Sequence, residues 1–314
     1  MKRASIGLVL LLSACGQSAI PPRDFPDREA PVTRHTTGES GDDKDPDLSR
    51  DGKLLFFAST AWSDHYDIYA KSIGGNVLTR ITSEESDERF PKVNPRQPRM
   101  LAFCSNLNGE WDIFVVEDYV REPAKWVRVS ETGSDDIHPS WSPDGTKVVY
   151  CSTSGDGMWV LKVRDLLLGR TQVLEGVDGL LPEWHPVEDR IVFQRMRHRD
   201  RWFGSVWTLE LDRDMVRNVM AVYSGDAWAA INPSWSPDGS KIVFATVARS
   251  RARAGVFEEA DDLWAVDADG SHPVRLTTDA AADWMPAWSA TGEVFFVSRR
   301  SGRNRVWSMK PALP

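Results

Sequence analysis

Three residues ahead of six regularly spaced prolines, Pro46, Pro91, Pro139, Pro182, Pro233 and Pro286, stand Asp43, Glu88, Asp136, Gly179, Ala230 and Asp283. Four of these six are acidic, and the positions before them add Asp42, Asp87, Asp135 and Asp178. Carboxylates brought together repel one another, which favours a bound cation or a basic partner. Ligands made only of oxygen select calcium or magnesium over zinc. His138, directly before Pro139, joins Asp43, Glu88, Asp136 and Asp283 as a candidate cation site wherever the fold gathers the six prolines. The other histidines, His35, His65, His185, His198 and His272, are scattered. The chain has no G-x-S-x-G elbow, H-E-x-x-H, phosphate loop or C-x-x-C, so no catalytic residue is assigned.

A second pattern is cationic. The stretches QRMRHRDRWFG, VARSRARAG and SRRSGRN contribute Arg195, Arg197, Arg199, Arg201, Arg249, Arg251, Arg253, Arg299, Arg300 and Arg303. The matching stretches nearer the N-terminus carry Asp64, Asp67, Glu110, Asp112 and Asp156 and no arginine. One half of the surface that bears these loops is therefore expected to be basic and the other acidic, an arrangement suited to partner binding. Nucleic acid is not the expected partner. The formal net charge is −8, more negative still once Lys2 and Arg3 depart with a leader.

These residues need a scaffold, and the prolines supply its period. WSPDG occurs at 141–145 and again at 235–239, each time after a proline and before a β-branched and aromatic run. Blurred copies begin at Asp45, Phe90, Leu181 and Met285, so the phrase recurs six times at intervals of 43 to 53 residues. Repeats of this length made of short strands predict a six-bladed β-propeller of four-stranded blades, an all-β fold. In the third copy HPSW reads as the first strand, SPDG as a turn, and TKVVYCS, MWVLKV and TQVLEG as the next three. Proline presets the turn, aspartate or serine bonds the local backbone, and glycine accepts positive φ. The second strands, LLFFAS, MLAFCS, VVYCS, IVFQ, IVFAT and VFFVS, are apolar enough to be covered on both faces. Trp141, Trp184, Trp235 and Trp288, each two residues after an anchor proline, read as packing between blades.

Closure is legible too. Fourth strands share a signature, as in VLTRITSEESDE, and the sixth repeat lacks one, whereas PVTRHTTGESGDD from Pro31 carries it. The N-terminal segment is expected to pair onto the last blade and leave no open edge at the seam.

MKRASIGLVLLLSACG is a different object. Lys2 and Arg3 precede an apolar stretch from Ile6 to Leu12 that is too short to span a bilayer. LSAC resembles the bacterial lipobox, which implies that residues 1–14 are a lipoprotein signal peptide and that Cys15 is acylated. Gly16, not aspartate, follows that cysteine, which in the resembled system implies export to the outer membrane. Residues 15–30 then form a lipidated, proline-rich tether, roughly 40 Å long if extended, and 31–314 the propeller. Cys104 and Cys151 end neighbouring second strands and are expected to be buried free thiols, because stacked blades hold them too far apart for a bridge.

The repeated WSPDG phrase, together with SNLNGEWDIFV from Ser105, resembles the WD-like Pro-Asp repeat of the TolB family, a periplasmic component of the Tol-Pal system. The resemblance spans residues 31–314 and implies a six-bladed propeller that binds other proteins through one face. That family adds an N-terminal α/β domain where this chain has a tether. The expected function is a membrane-anchored envelope lipoprotein, monomeric and facing the periplasm, whose propeller binds an envelope protein or an anionic envelope polymer without catalysis. The alternative is a metal-assisted lyase or hydrolase acting on acidic polysaccharide at a channel mouth, with calcium as the candidate ion.

Overall fold

The computed structural model describes residues 30–121, 124–196, 204–225, 228–248 and 262–313. They form six antiparallel sheets of four strands each. The first strand, β1 (Val32–Arg34), is set apart from the blade that follows it. Blade 1 holds β2 (Asp43–Leu48), β3 (Leu54–Ser59), β4 (Asp67–Ser72) and β5 (Leu78–Arg80). Blade 2 holds β6 (Glu88–Val93), β7 (Leu101–Ser105), β8 (Asp112–Val116) and β9 (Trp126–Arg128). Blade 3 holds β10 (Asp136–Trp141), β11 (Lys147–Thr153), β12 (Trp159–Asp165) and β13 (Arg170–Asp178). Blade 4 holds β14 (Leu180–Trp184), β15 (Arg190–Met196), β16 (Gly204–Asp212) and β17 (Met215–Tyr223). Blade 5 holds β18 (Trp228–Trp235), β19 (Lys241–Ala248), β20 (Leu263–Asp267) and β21 (Val274–Arg275). Blade 6 holds β22 (Asp283–Trp288), β23 (Val294–Ser298) and β24 (Arg305–Met309), and β1 completes it.

The core lies between blades, as the apolar second strands require. Phe56 and Ile68 of blade 1 pack with Leu101, Phe103 and Phe114 of blade 2, and Ala245 and Val247 of blade 5 pack with Val294 and Phe296 of blade 6. Removing the faces of each sheet from water in this way is the dominant stabilising term of such a fold. Strands alternate in direction, so every blade has two ends. The first-to-second and third-to-fourth hairpins lie at one end, here the turn face. The second-to-third hairpins and the passages between blades lie at the other, the crossover face.

The SPDG turns are braced twice over. Ser142 Oγ donates to Asp144 Oδ1 at 2.6 Å and accepts the Lys147 amide at 2.9 Å, and Ser236, Asp238 and Lys241 repeat this at the same two distances. Gly239 has φ +72°, and a Cβ there would lie 1.8 Å from His185 Nε2 of the preceding blade. Glycine is thus required both by its dihedral and by the approach of the neighbouring turn.

Closure by the N-terminal strand is observed. Val32, Thr33 and Arg34 of β1 pair with Met309, Ser308 and Trp307 of β24. Thr36 Oγ1 accepts the Val306 amide at 3.0 Å, and His35 Nε2 lies 2.8 Å from Ser308 Oγ. Arg305 is 1% exposed and grips the incoming chain. Its guanidinium donates to the carbonyls of Gly38 at 2.6 Å, Ser40 at 3.2 Å and Gly41 at 2.8 Å, and lies 3.5 Å from the Asp43 carboxylate.

Candidate functional site: the axial channel and its two faces

Each inner strand is interrupted at the same place. The register shifts between Lys44 and Asp47, Arg89 and Lys92, Ile137 and Ser140, Leu180 and Glu183, Ile231 and Ser234, and Trp284 and Ala287. The residue before each anchor proline, Asp45, Phe90, His138, Leu181, Asn232 or Met285, sits in the left-handed region with φ from +49° to +58°. Proline at a bulge leaves no amide unpaired, because it has none, which accounts for its recurrence there. Left-handed backbone at a residue with a Cβ costs roughly 1–2 kcal/mol. Six such costs persist only because the flanking ladders over-determine the geometry.

These six X-Pro pairs ring a cavity of about 70 Å³ on the axis. Of the six residues before the prolines three are polar, Asp45, His138 and Asn232, and three apolar, Phe90, Leu181 and Met285, with Lys92 and Glu183 also in the lining. Asp45 is ion-paired with Arg89, whose guanidinium stacks over Tyr66 and Phe90 at 4.6 and 4.8 Å. His138 packs against the Phe90 ring at 4.1 Å, with Nδ1 3.3 Å from Cys151 Sγ. Burial pushes its imidazole down to about 3, so it is neutral at physiological pH.

One residue further along each strand, Lys92 spans the axis as a partition. Its ammonium lies 3.2 Å from Asp47 of blade 1 and 3.6 Å from Glu183 of blade 4. Burial opposes the charge on Lys92, yet the two carboxylates hold it above the usual lysine range. Burial raises both carboxylates in turn. Beyond this partition a wider cavity of about 290 Å³ lies among the turns, walled by Trp141, Trp184, Trp288 and the turn prolines. The repeated tryptophans also tie blades together, Trp141 Nε1 donating to the Lys92 carbonyl at 2.8 Å and Trp235 Nε1 to that of Glu183 at 3.2 Å. Lys92, Asp47 and Glu183 were missed by sequence reasoning, although all three occupy the position directly after an anchor proline, a signal available from the aligned repeats.

The expected ring of carboxylates takes a different form. Asp43, Glu88, Asp136 and Asp283 are at most 1% exposed. Each is engaged within its own blade or at the seam with the preceding one, as Asp43 is with Arg305, and none across the channel. Asp43 accepts from Ser59 at 2.6 Å, Glu88 from Ser105 at 2.8 Å, Asp136 from Ser134 at 3.2 Å and Asp283 from Arg300 at 2.9 Å. The preceding aspartates reach back to the blade before. Asp42 accepts the Asn304 amide, Asp87 that of Tyr66 and Asp135 that of Trp111. The acidic pattern thus serves cross-strand and inter-blade bonding, and only His138 of the candidate cation group lines the axial cavity. Among the described residues no group of three or more His, Cys, Asp or Glu side chains is placed to hold a metal ion.

The arginines divide similarly. Arg195 is spent on Asp178 and stacks over Trp207 at 5.1 Å, and Arg300 bonds Asp279 and Asp283 at 2.7 and 2.9 Å. Arg299 and Arg303 are exposed on the crossover face. Arg197, Arg199, Arg201, Arg249, Arg251 and Arg253, like Cys15, lie outside the described residues. Among the acidic counterparts, Asp64, Glu110 and Asp156 are exposed, whereas Asp67 and Asp112 are buried against Arg80 and Arg128 at 2.7 and 3.3 Å. Sequence position alone did not separate a surface aspartate from one that opens a buried third strand.

Cys104 and Cys151 are free and buried, and burial raises both thiols. Neither is expected to react with a maleimide in the native protein, and both should react after unfolding. Peptide mapping of the labelled positions checks this, and native labelling of either thiol would contradict the packing of β7 and β11.

No family model matches the chain. The Tol-Pal system protein TolB of Francisella tularensis subsp. tularensis (strain WY96-3418) is 27% identical over 210 residues, covering 66% of this chain and 46% of that protein. The chain therefore spans about half the length of this curated relative. The crystal structure of TolB from Acinetobacter baumannii aligns with a TM-score of 0.65 at 14% identity, over 84% of this chain and 65% of that one. An oligogalacturonate lyase from Vibrio parahaemolyticus aligns at 0.59 with 15% identity, over 90% of this chain and 94% of that one. An oligogalacturonate lyase in complex with manganese gives the same TM-score at 16% identity, over 90% of this chain and 93% of that one. At these identities the solved structures show the fold. The chain is a TolB-like six-bladed β-propeller.

Proposed function

We propose that this propeller is a non-catalytic binding module of the cell envelope, anchored by a lipid on Cys15 and presenting its crossover face to an envelope protein or an anionic envelope polymer. The observation that carries the reading is the charge division of that face. Exposed Asp64, Glu110 and Asp156 stand on blades 1 to 3, and exposed Arg299 and Arg303 on blade 6. The arginine-rich stretches of blades 4 and 5 extend the basic half in sequence. A surface with opposed halves orients a partner as well as attracting it. On the axis, Asp45 is paired with Arg89, and Asp47 and Glu183 with Lys92, groups already satisfied by one another. The relative's name, Tol-Pal system protein TolB, is consistent with an envelope role.

Replacing Arg197, Arg199, Arg251 and Arg253 together by alanine is expected to weaken capture of the partner from native envelope extracts by roughly 10-fold or more, an effect that shrinks at high salt. Capture that is undiminished and indifferent to salt would remove the basis of this reading.

The fold shared with a manganese-bound lyase supports a second reading, metal-assisted cleavage of an acidic polysaccharide. The carboxylates that would supply such a site do not converge here, because Asp43, Glu88, Asp136 and Asp283 are each committed to partners in their own blade or at its seam with the preceding one. Calcium or manganese bound stoichiometrically by the purified protein would favour this second reading over the first.

A further inference from the structure

We infer that the turn face is a membrane-docking surface whose apolar tips enter the interface of a phospholipid bilayer. Large apolar side chains stand at hairpin tips of four consecutive blades. Val77 is 77% exposed, Val120 60%, Leu167 78%, Leu168 66%, Val187 69% and Met215 52%. The strand order puts all six on the turn face. Val77, Val120, Leu167, Leu168 and Met215 belong to third-to-fourth hairpins and Val187 to a first-to-second one. The other exposed large apolar residues lie on outer strands, or on the crossover face as Trp62 and Leu107 do.

The tips are firmly held. Asp165 Oδ1 accepts the Leu168 amide at 2.8 Å, which sets the turn that projects both leucines. Asp214 receives Lys147 at 2.5 Å and Arg170 at 2.9 Å, and its carbonyl accepts from Gln172 at 2.8 Å. These bonds from blade 3 hold Arg213 and Asp214 at positive φ, +48° and +66°, and so fix Met215 in place. Well-braced turns that nonetheless leave leucine in water indicate a partner that removes it from water.

Two features select a bilayer as that partner. The tips are spread around the rim of one face, which suits an extended apolar surface better than a peptide seated in a groove. The polypeptide also enters on this side, since Val32 pairs with Met309, the last residue of the third strand of its blade. The segment leading back to Cys15 therefore leaves from the turn face. This orientation rests on the lipid-anchor reading given above, and it leaves the charged crossover face pointing away from the membrane toward a partner. Aliphatic tips reaching the interface gain free energy in proportion to the apolar area they bury there.

The test uses residues 16–314 without lipid, which contain the whole closed ring, and vesicles of phosphatidylethanolamine with a minor fraction of phosphatidylglycerol. The protein is expected to sediment with the vesicles, and the double substitution Leu167→Ser, Leu168→Ser to weaken binding roughly 10-fold or more. Leu107→Ser, on the opposite face, should leave binding unchanged. All three side chains are solvent-exposed, so the variants should fold as the parent does. Absence of vesicle binding without lipid, or equal binding by the leucine double variant, overturns the proposal. If only the acylated chain binds vesicles, docking falls and the anchor stands; if the unlipidated chain binds and Cys15 carries no acyl group, docking stands and the anchor falls.

Discussion

Arg305→Met is expected to lower the free energy of unfolding by about 3–5 kcal/mol, the range for removing one partner of a buried ion pair. Arg305 is the largest of the fully buried side chains among the described residues and fastens the N-terminal segment to the last blade. Without it the carbonyls of Gly38, Ser40 and Gly41 lose their donor and the Asp43 carboxylate its counter-charge, inside a seam that excludes water. Methionine keeps only the aliphatic stem as far as the position of Nε, so the deficit combines the lost polar bonds with the space left by the guanidinium. Arg303→Met, two residues away and exposed, should stay within about 0.5 kcal/mol of the parent. Urea denaturation of the two variants provides the comparison. Equal midpoints would mean that the β1–β24 ladder and the packing around it close the ring unaided and that the Arg305 contacts are incidental.

Glu88→Gln should stabilise the protein relative to the parent as pH rises, by about 3 kcal/mol between pH 4 and pH 8. Burial pushes the Glu88 carboxyl up from the usual 4.5 to about 7, against the opposing pull of its serine hydrogen bonds. Its Oε2 has no hydrogen-bond partner, so ionisation would leave half of a carboxylate unsatisfied in the interior. A group raised in this way contributes its full stability below its unfolded value. That contribution is lost as pH climbs through about 7, because folding then requires a proton that the unfolded chain does not hold. Glutamine carries no such proton and removes the dependence. His35 and His138, which burial pushes down to about 4 and about 3, titrate with the opposite sense, but they are common to both proteins and cancel in the difference. The readout is the gap between the two unfolding free energies across the pH range. A gap that does not change with pH would show Glu88 to take up its proton in the folded chain at the same pH as in the unfolded one.

Glu88 was visible in the sequence but carried another meaning there, whereas nothing in the linear pattern singled out Arg305. Glu88 belonged to an apparent ring of carboxylates, since it stands three residues before a proline like Asp43, Asp136 and Asp283. What the linear pattern could not convey is the cross-strand partner. Glu88 faces Ser105, Asp43 faces Ser59, Asp136 faces Ser152 and Asp283 faces Ser298, and each pair closes within one blade instead of across the channel. The spacing from the prolines was correct, but the direction of the side chains depended on a bulge that follows two residues later.

The sequence alone determined the number of blades, the strand content of each and the origin of the strand that closes the ring. It could do so because these follow from local rules: a turn phrase repeated at a steady period, apolar runs long enough for one strand, and a fourth-strand signature displaced to the N-terminus. Tertiary structure decided which polar side chains meet. Lys92 lies between Asp47 and Glu183 from blades 1 and 4, and Arg305 grips a segment more than two hundred and sixty residues away in the chain. Such pairings exist only when the ring is closed, because the twist of each sheet and the bulge at each X-Pro pair set the angle at which a side chain meets the axis. Neither quantity is written in any single repeat.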